Sequence, residues 1–242
     1  MGADRPRAQA QGGDALSAPP QRLLYGRRKG RPLRAGRAAL MAELLPRIEV
    51  TIPAGDGTLD PATLFDPPPG EIWLEVGFGA GEHLAAQALA HPQVGFVGCE
   101  PFADGVAKLV ARIAAERIAN VRIFRDDARL LLAALPAASI ARAFVLFPDP
   151  WPKARHNKRR FLTQPGFAAL ARVLVPEAEL RVATDDETYR DWIREHAAAE
   201  GSFALVSETA ARPESWPPTR YEEKALAAGR RPAYLKFRRK PG

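Results

Sequence analysis

Fourteen residues constrain this chain more than any others: Glu71-Ile-Trp-Leu-Glu75-Val-Gly77-Phe-Gly79-Ala-Gly81-Glu-His-Leu84. An apolar run of β type starts after Pro67-Pro68-Pro69-Gly70 and breaks into three glycines at alternate positions. It then resumes with helical spacing at Leu84, Ala85, Ala88 and Leu89. Strand, Gly-rich turn and helix, in that order, form the leading edge of a nucleotide-binding βαβ unit. A backbone without Cβ atoms can lie directly against a ligand and take positive φ. A dinucleotide fingerprint reads G-x-G-x-x-G and receives a pyrophosphate at the helix N-terminus. Here the pattern is Glu-x-Gly-x-Gly-x-Gly, one residue shorter between the last two glycines. A carboxylate at Glu75 would repel a pyrophosphate and suits a cationic ligand. S-adenosylmethionine carries a sulfonium and an amino group and no phosphate. Glu75, Gly77, Gly79 and Gly81 are therefore candidate contacts to that cofactor.

From Ile72 onward the rhythm is strand then helix, repeated. Candidate strands are Ile72–Val76, Val94–Cys99, Val121–Phe124, Ala143–Phe147 and Glu179–Ala183, with helical stretches at Ala103–Ile118, Phe161–Val175 and Glu187–Ala199. This alternation predicts an α/β fold with a doubly wound, mostly parallel sheet. Phe203–Val206 and Ala233–Phe237 read as two strands near an edge, joined by a Pro-rich loop. Upstream, residues 1–20 lack periodicity and read as a disordered tail. Residues 21–60 form a basic arm and linker, with a short amphipathic helix expected over 36–45, and residues 61–242 form the main domain.

One cysteine excludes an internal disulfide framework, and four histidines without HxxxH-type spacing argue against a metal site. With no apolar run near the roughly 20 residues of a bilayer span and no signal-type apolar core at the start, a cytoplasmic protein is expected.

In an open α/β sheet, ligands bind where the strands end. Glu100 closes the second strand and could accept hydrogen bonds from both ribose hydroxyls. Asp126-Asp127 closes the third, and an acid there could take an adenine amino group, although either could cap the helix starting near Ala128. Asp127 has the better register. The fourth strand ends in Phe147-Pro-Asp149-Pro-Trp-Pro-Lys153, where prolines on both sides hold the Asp149 carboxylate in one orientation. Cys99 lies within a strand expected to be buried, which favours packing over nucleophilic chemistry.

The net charge is +7, from 35 Lys and Arg against 28 Asp and Glu. Eighteen of those basic residues sit in three acid-free windows, 15–42, 153–160 and 230–240, so 17 remain against all 28 acids elsewhere. An acidic body with three basic patches predicts a polyanionic partner, most simply a nucleic acid.

Together these motifs resemble the bacterial tRNA (guanine-N7-)-methyltransferases. The matching segments are Leu74–Gly81, Gly98–Glu100, Phe147–Arg160, Ala183–Asp185 and Thr219–Glu222, and the resemblance runs from about residue 25 to the end. It implies a Rossmann-like class I fold that uses S-adenosylmethionine to methylate N7 of a variable-loop guanine in tRNA, as a monomer or homodimer. It further implies that Glu75, Glu100, Asp127 and Asp149 contact the cofactor. Lys153, Asp185, Thr219, Arg220, Tyr221 and Glu222 would contact the substrate, and Arg155, His156, Asn157, Lys158, Arg159 and Arg160 the RNA. Two departures stand out: Ala80 fills a slot usually held by Met, and Asp186 adds a second acid beside Asp185.

The chemistry suits these residues independently. Guanine N7 has a lone pair and no proton, so transfer from a sulfonium requires alignment rather than a strong base. The product is cationic, and a fixed carboxylate such as Asp149 can stabilise the growing charge as the catalytic group. A methyltransferase of proteins or small molecules would explain the glycine turn but not the basic windows. A non-catalytic RNA-binding module would explain the charge but not Glu75, Glu100 and Asp149 together.

Overall fold

Strands β1 (Glu71–Val76), β2 (Val94–Cys99), β3 (Val121–Phe124), β4 (Ile140–Leu146) and β5 (Leu174–Thr184) run parallel. Strand β7 (Ala233–Arg239) pairs antiparallel with β5 on one side and with β6 (Phe203–Thr209) on the other. The sheet order is β3-β2-β1-β4-β5-β7-β6. These relations come from a computed structural model that describes residues 25, 28, 30, 32–55 and 57–241. The expected tail, residues 1–20, lies outside the described residues, as does most of the arm before Pro32.

Helices cover both faces, as a doubly wound sheet requires. On one face lie α5 (Ala128–Ala134), α6 (Gln164–Val173) and α7 (Glu187–Glu200), packing Leu131, Phe167, Leu170 and Ile193 onto Leu74, Val97 and Val145. On the other lie α3 (Glu82–Ala90) and α4 (Ala103–Glu116), which bring Leu84, Val106 and Leu109 against Trp73, Phe96 and Phe144. Full burial of β2 on both faces explains its unbroken apolar text, Val-Gly-Phe-Val-Gly-Cys.

The amphipathic segment near the N-terminus forms α1 (Ala35–Glu43) and a single turn, α2 (Leu45–Ile48). Leu40, Met41 and Leu44 pack against the second core cluster, and the Val50 amide donates to the Ile123 carbonyl at 2.8 Å. The last part of the basic arm is thus fastened to α4 and to the β3 edge.

Two expectations shift. The helix read over Phe161–Val175 ends at Val173, and β5 follows with no loop. Pro176 cannot continue a helix and disfavours α geometry at Val175. The segment between β6 and β7 is not simply a Pro-rich loop, because it contains α8 (Arg220–Ala227). The two strands expected near an edge are the last two of the sheet, with β6 outermost and its Leu205 and Val206 exposed.

Candidate active site

The carboxyl ends of β1 to β4 surround a cleft of about 580 Å³, at the point where the strand order reverses between β1 and β4. Its floor is the glycine turn. Gly77, Gly79 and Gly81 all have positive φ, at 76°, 57° and 79°, and Gly81 is the N-cap of α3. A Cβ on Gly81 would lie 2.6 Å from Leu109, so any other residue there would push α4 away. Gly105, inside α4, lets that helix touch the Gly79 carbonyl.

Glu100 ties this floor together. Its two carboxylate oxygens accept from the amides of Gly79 and Phe102, both at 2.9 Å. Burial pushes its carboxyl up to about 7, and the nearby Asp149 and Glu75 act in the same direction against those two amides. Glu75 lies one residue behind the cleft-lining Val76 and Gly77, and its Oε2 is 2.7 Å from His83 Nδ1. Asp127 is 3 % exposed and lines the cleft while capping α5 through the Arg129 amide at 3.0 Å. Burial raises the Cys99 thiol far above its ordinary range, so it is no thiolate nucleophile.

Asp149 stands on the cleft rim in a strained turn. Phe147 and Trp151, flanking Pro148-Asp149-Pro150, take φ of 50° and 46°, and the Phe147 amide is held by the Ala183 carbonyl at 2.7 Å. The surrounding protein mass raises the Asp149 carboxyl above its usual range.

The expected substrate residues divide. Arg220 and Tyr221, at the start of α8, line the cleft, and the Tyr221 ring lies on the glycine turn, so that a Cβ on Gly79 would come within 2.8 Å of it. Burial, then Glu100 and Asp149, raise the Tyr221 phenol. Thr219 and Glu222 instead form a capping box for α8, with Thr219 Oγ1 accepting from the Glu222 amide at 3.1 Å. Glu222 also pairs with Arg212 at 2.9 Å and accepts from the Tyr234 hydroxyl. Asp185 pairs with Arg230 at 2.7 Å, whereas Asp186 caps α7 through the Tyr189 amide at 2.8 Å. Lys153 is exposed at the start of the 3-10 turn Ala154–Arg159.

The expected RNA residues divide as well. Arg155 and Lys158 are exposed, and His156 and Asn157 are half-buried. The coulombic effect of Arg159, Arg155, Lys153 and Lys158 adds to desolvation in lowering the His156 imidazole. Arg159 reaches the cleft mouth, with its guanidinium over the rings of Tyr25 and Trp151 at 5.1 and 4.9 Å. Arg160 is instead 3 % exposed; it donates to the Pro150 carbonyl at 2.8 Å and stacks on Tyr189 and Trp192. It braces the turn that carries Asp149. Sequence reasoning did not find Tyr25, Lys108 or Lys224 at the cleft; the basic arm hinted only at the first.

The buried carboxylates Glu100 and Asp127 and the exposed Asp149 therefore share the cleft lining with Lys108, Arg159, Arg220 and Lys224. Such a lining offers partners to both cationic and anionic groups. Among the described residues, no group of three or more His, Cys, Asp or Glu could hold a metal ion, and no helix is long and apolar enough to cross a membrane.

A family model described as "Putative methyltransferase" matches residues 69–234. The structure resembles the 16S rRNA methyltransferase KamB, with a TM-score of 0.55 and 16 % identity over 72 % of this chain and 89 % of that one. It also resembles a 16S rRNA (adenine(1408)-N(1))-methyltransferase from Catenulisporales acidiphilia, with a TM-score of 0.52 and 18 % identity over 78 % and 96 %. At these identities the likeness establishes a shared Rossmann-like methyltransferase fold. Two relatives are much nearer in sequence. A tRNA (guanine-N(7)-)-methyltransferase of Paramagnetospirillum magneticum is 46 % identical over 96 % of this chain and 98 % of its own length. One of Rhodospirillum rubrum is 48 % identical over 90 % and 88 %. With a whole-length match of this closeness, the chain belongs to the tRNA (guanine-N(7)-)-methyltransferase family.

Proposed function

We propose that this protein transfers a methyl group from S-adenosylmethionine to N7 of a guanine in tRNA, the guanine being one in the variable loop. The observation that carries the reading is the mixed charge of the cleft lining: the buried carboxylates Glu100 and Asp127 and the exposed Asp149 share it with Lys108, Arg159, Arg220 and Lys224. The residues present suit the cofactor. The glycine turn offers bare backbone, Glu100 offers remaining lone pairs to ribose hydroxyls, Asp127 can accept from an adenine amino group, and Glu75 suits an ammonium. When bound, S-adenosylmethionine supplies an electrophilic methyl on a sulfonium.

The chain's own residues then align and stabilise. Asp149 faces the cleft from a turn fixed by two prolines and braced by Arg160, so it can hold the guanine edge and stabilise positive charge as N7 is alkylated. Tyr221 lies against the glycine turn at Gly79, and Arg220 lines the cleft beside it. Lys153, Arg155, Lys158 and Arg159 supply cations to the RNA backbone, and Asp185 contributes on the substrate side if Arg230 releases it. Labelled methyl transfer into bulk tRNA, against a protein acceptor as control, tests the reading. Label in tRNA supports it, and label only in protein rejects it.

A further inference from the structure

His83 has no part in the cleft chemistry above, yet it is among the most enclosed polar side chains in the fold, at 2 % exposure. It is the second residue of α3, and the left-handed Gly81 cap turns this helix so that His83 faces back onto β1. Its Nδ1 is 2.7 Å from Glu75 Oε2, with the two side chains 2 % and 4 % exposed. Its Nε2 is 3.4 Å from the Gln87 side-chain nitrogen, one turn further along α3, and Gln87 is itself 3 % exposed. The ring meets Phe144 edge-on at 4.8 Å, and Phe144 is the register partner of Glu75 across β1 and β4.

Each edge of the imidazole is thus assigned. With the Gln87 amide donating to Nε2, the ring proton sits on Nδ1 and points at Glu75. Through that proton the imidazole holds one carboxylate oxygen of Glu75. The other oxygen remains to accept from a ligand. A buried carboxylate without this tie would be free to turn and would have lost a charge-assisted hydrogen bond.

We propose that His83, steadied by Gln87, is a positioning residue that aims Glu75 at the aliphatic ammonium group of the cofactor's amino-acid portion. The inference rests on the reading of Glu75 as a cofactor contact. It predicts a loss confined to ligands that carry an ammonium.

Calorimetry with two probes separates positioning from general packing: S-adenosylhomocysteine, which has the amino-acid portion, and 5′-methylthioadenosine, which lacks it. His83→Leu keeps apolar volume and removes the donor; it should weaken S-adenosylhomocysteine by about tenfold and leave methylthioadenosine within about twofold. His83→Asn, whose amide nitrogen can replace Nδ1, should restore binding to within about threefold of the parent. Should His83→Leu fail to fold, Gln87→Leu serves, with about a threefold loss for S-adenosylhomocysteine alone. Equal losses for both probes, or no loss for either, overturn the proposal. Glu75→Gln is the control: if it too leaves S-adenosylhomocysteine binding unchanged, the reading of Glu75 falls and the proposal with it. If Glu75→Gln weakens binding while His83→Leu does not, only the proposal fails.

Discussion

Asp149 and Glu100 are both carboxylates raised by burial, but they ask for different tests. Asp149→Asn keeps the shape of the turn and removes only charge. If Asp149 senses the positive charge that grows on the purine, single-turnover methylation should slow by about 10²–10³, the usual effect of losing one preorganised contact. Melting temperature and tRNA affinity should stay near the parent's, and a rate within about threefold would assign Asp149 to turn formation alone. Glu100 titrates near 7 rather than at the ordinary 4.5. A raised acid contributes stability that is present below about pH 4.5 and is lost as pH rises through 7, so its ionised form is the less stable one in the free protein. Ribose hydroxyls donate to that ionised form, whose oxygens are both acceptors. Cofactor affinity should therefore rise by about tenfold from pH 6 to pH 8, with proton release visible as buffer-dependent heat. A flat profile would detach Glu100 from the cofactor. These acids were legible in the sequence because each ends a strand. The inward turn of Arg160 was not, since Tyr189 and Trp192, which receive it, lie about thirty residues further along.

At the scale of elements, the glycine turn was readable in full, because all three glycines take positive φ and two of them, Gly79 and Gly81, also meet a close neighbour. Helix α8 was not foreseen, although its signature was present: Thr219-Arg-Tyr-Glu222 is a capping box directly after two prolines. The same four residues matched a functional motif, and that match concealed their local role. Two of them build the helix end and the other two reach the cleft. Thr219→Ala should therefore cost about 0.5–2 kcal/mol of stability, the usual effect of losing a cap. Because α8 carries Tyr221 over the glycine turn, it should also raise the KM for cofactor more than it lowers kcat. Chemical denaturation and steady-state kinetics check the two halves. An unchanged midpoint would mean that the box adds nothing to the fold. The two neighbouring acids differ in local geometry, since Asp186 caps the first turn of α7 and Asp185 pairs with Arg230.

Over the whole molecule, the alternation of strand and helix was sufficient to fix the doubly wound class. The order of β6 and β7 was beyond it, because antiparallel insertion depends on which edge is already occupied. Charge distribution was equally plain in the sequence, and the cleft lining carries both signs, with Lys108, Arg159, Arg220 and Lys224 beside its acids. If the basic windows together neutralise about five or more phosphates, log K for tRNA should fall against log[salt] with a slope steeper than about −3.5 to −4.5. Replacing Arg22, Arg27, Lys29 and Arg31 by serine, with Tyr25 kept, should make that slope shallower and leave cofactor binding intact, whereas a flat response would remove the polyanion argument. The central claim, methylation of a guanine at N7 in tRNA, has one especially direct test. Unmodified tRNA is incubated with the protein and S-adenosylmethionine, then treated with borohydride and aniline, which break the chain only where guanosine carries a methyl on N7. The expected result is cofactor-dependent scission at a single guanosine of the variable loop. Methyl incorporated into tRNA without scission, or scission scattered over many guanosines, would contradict the account.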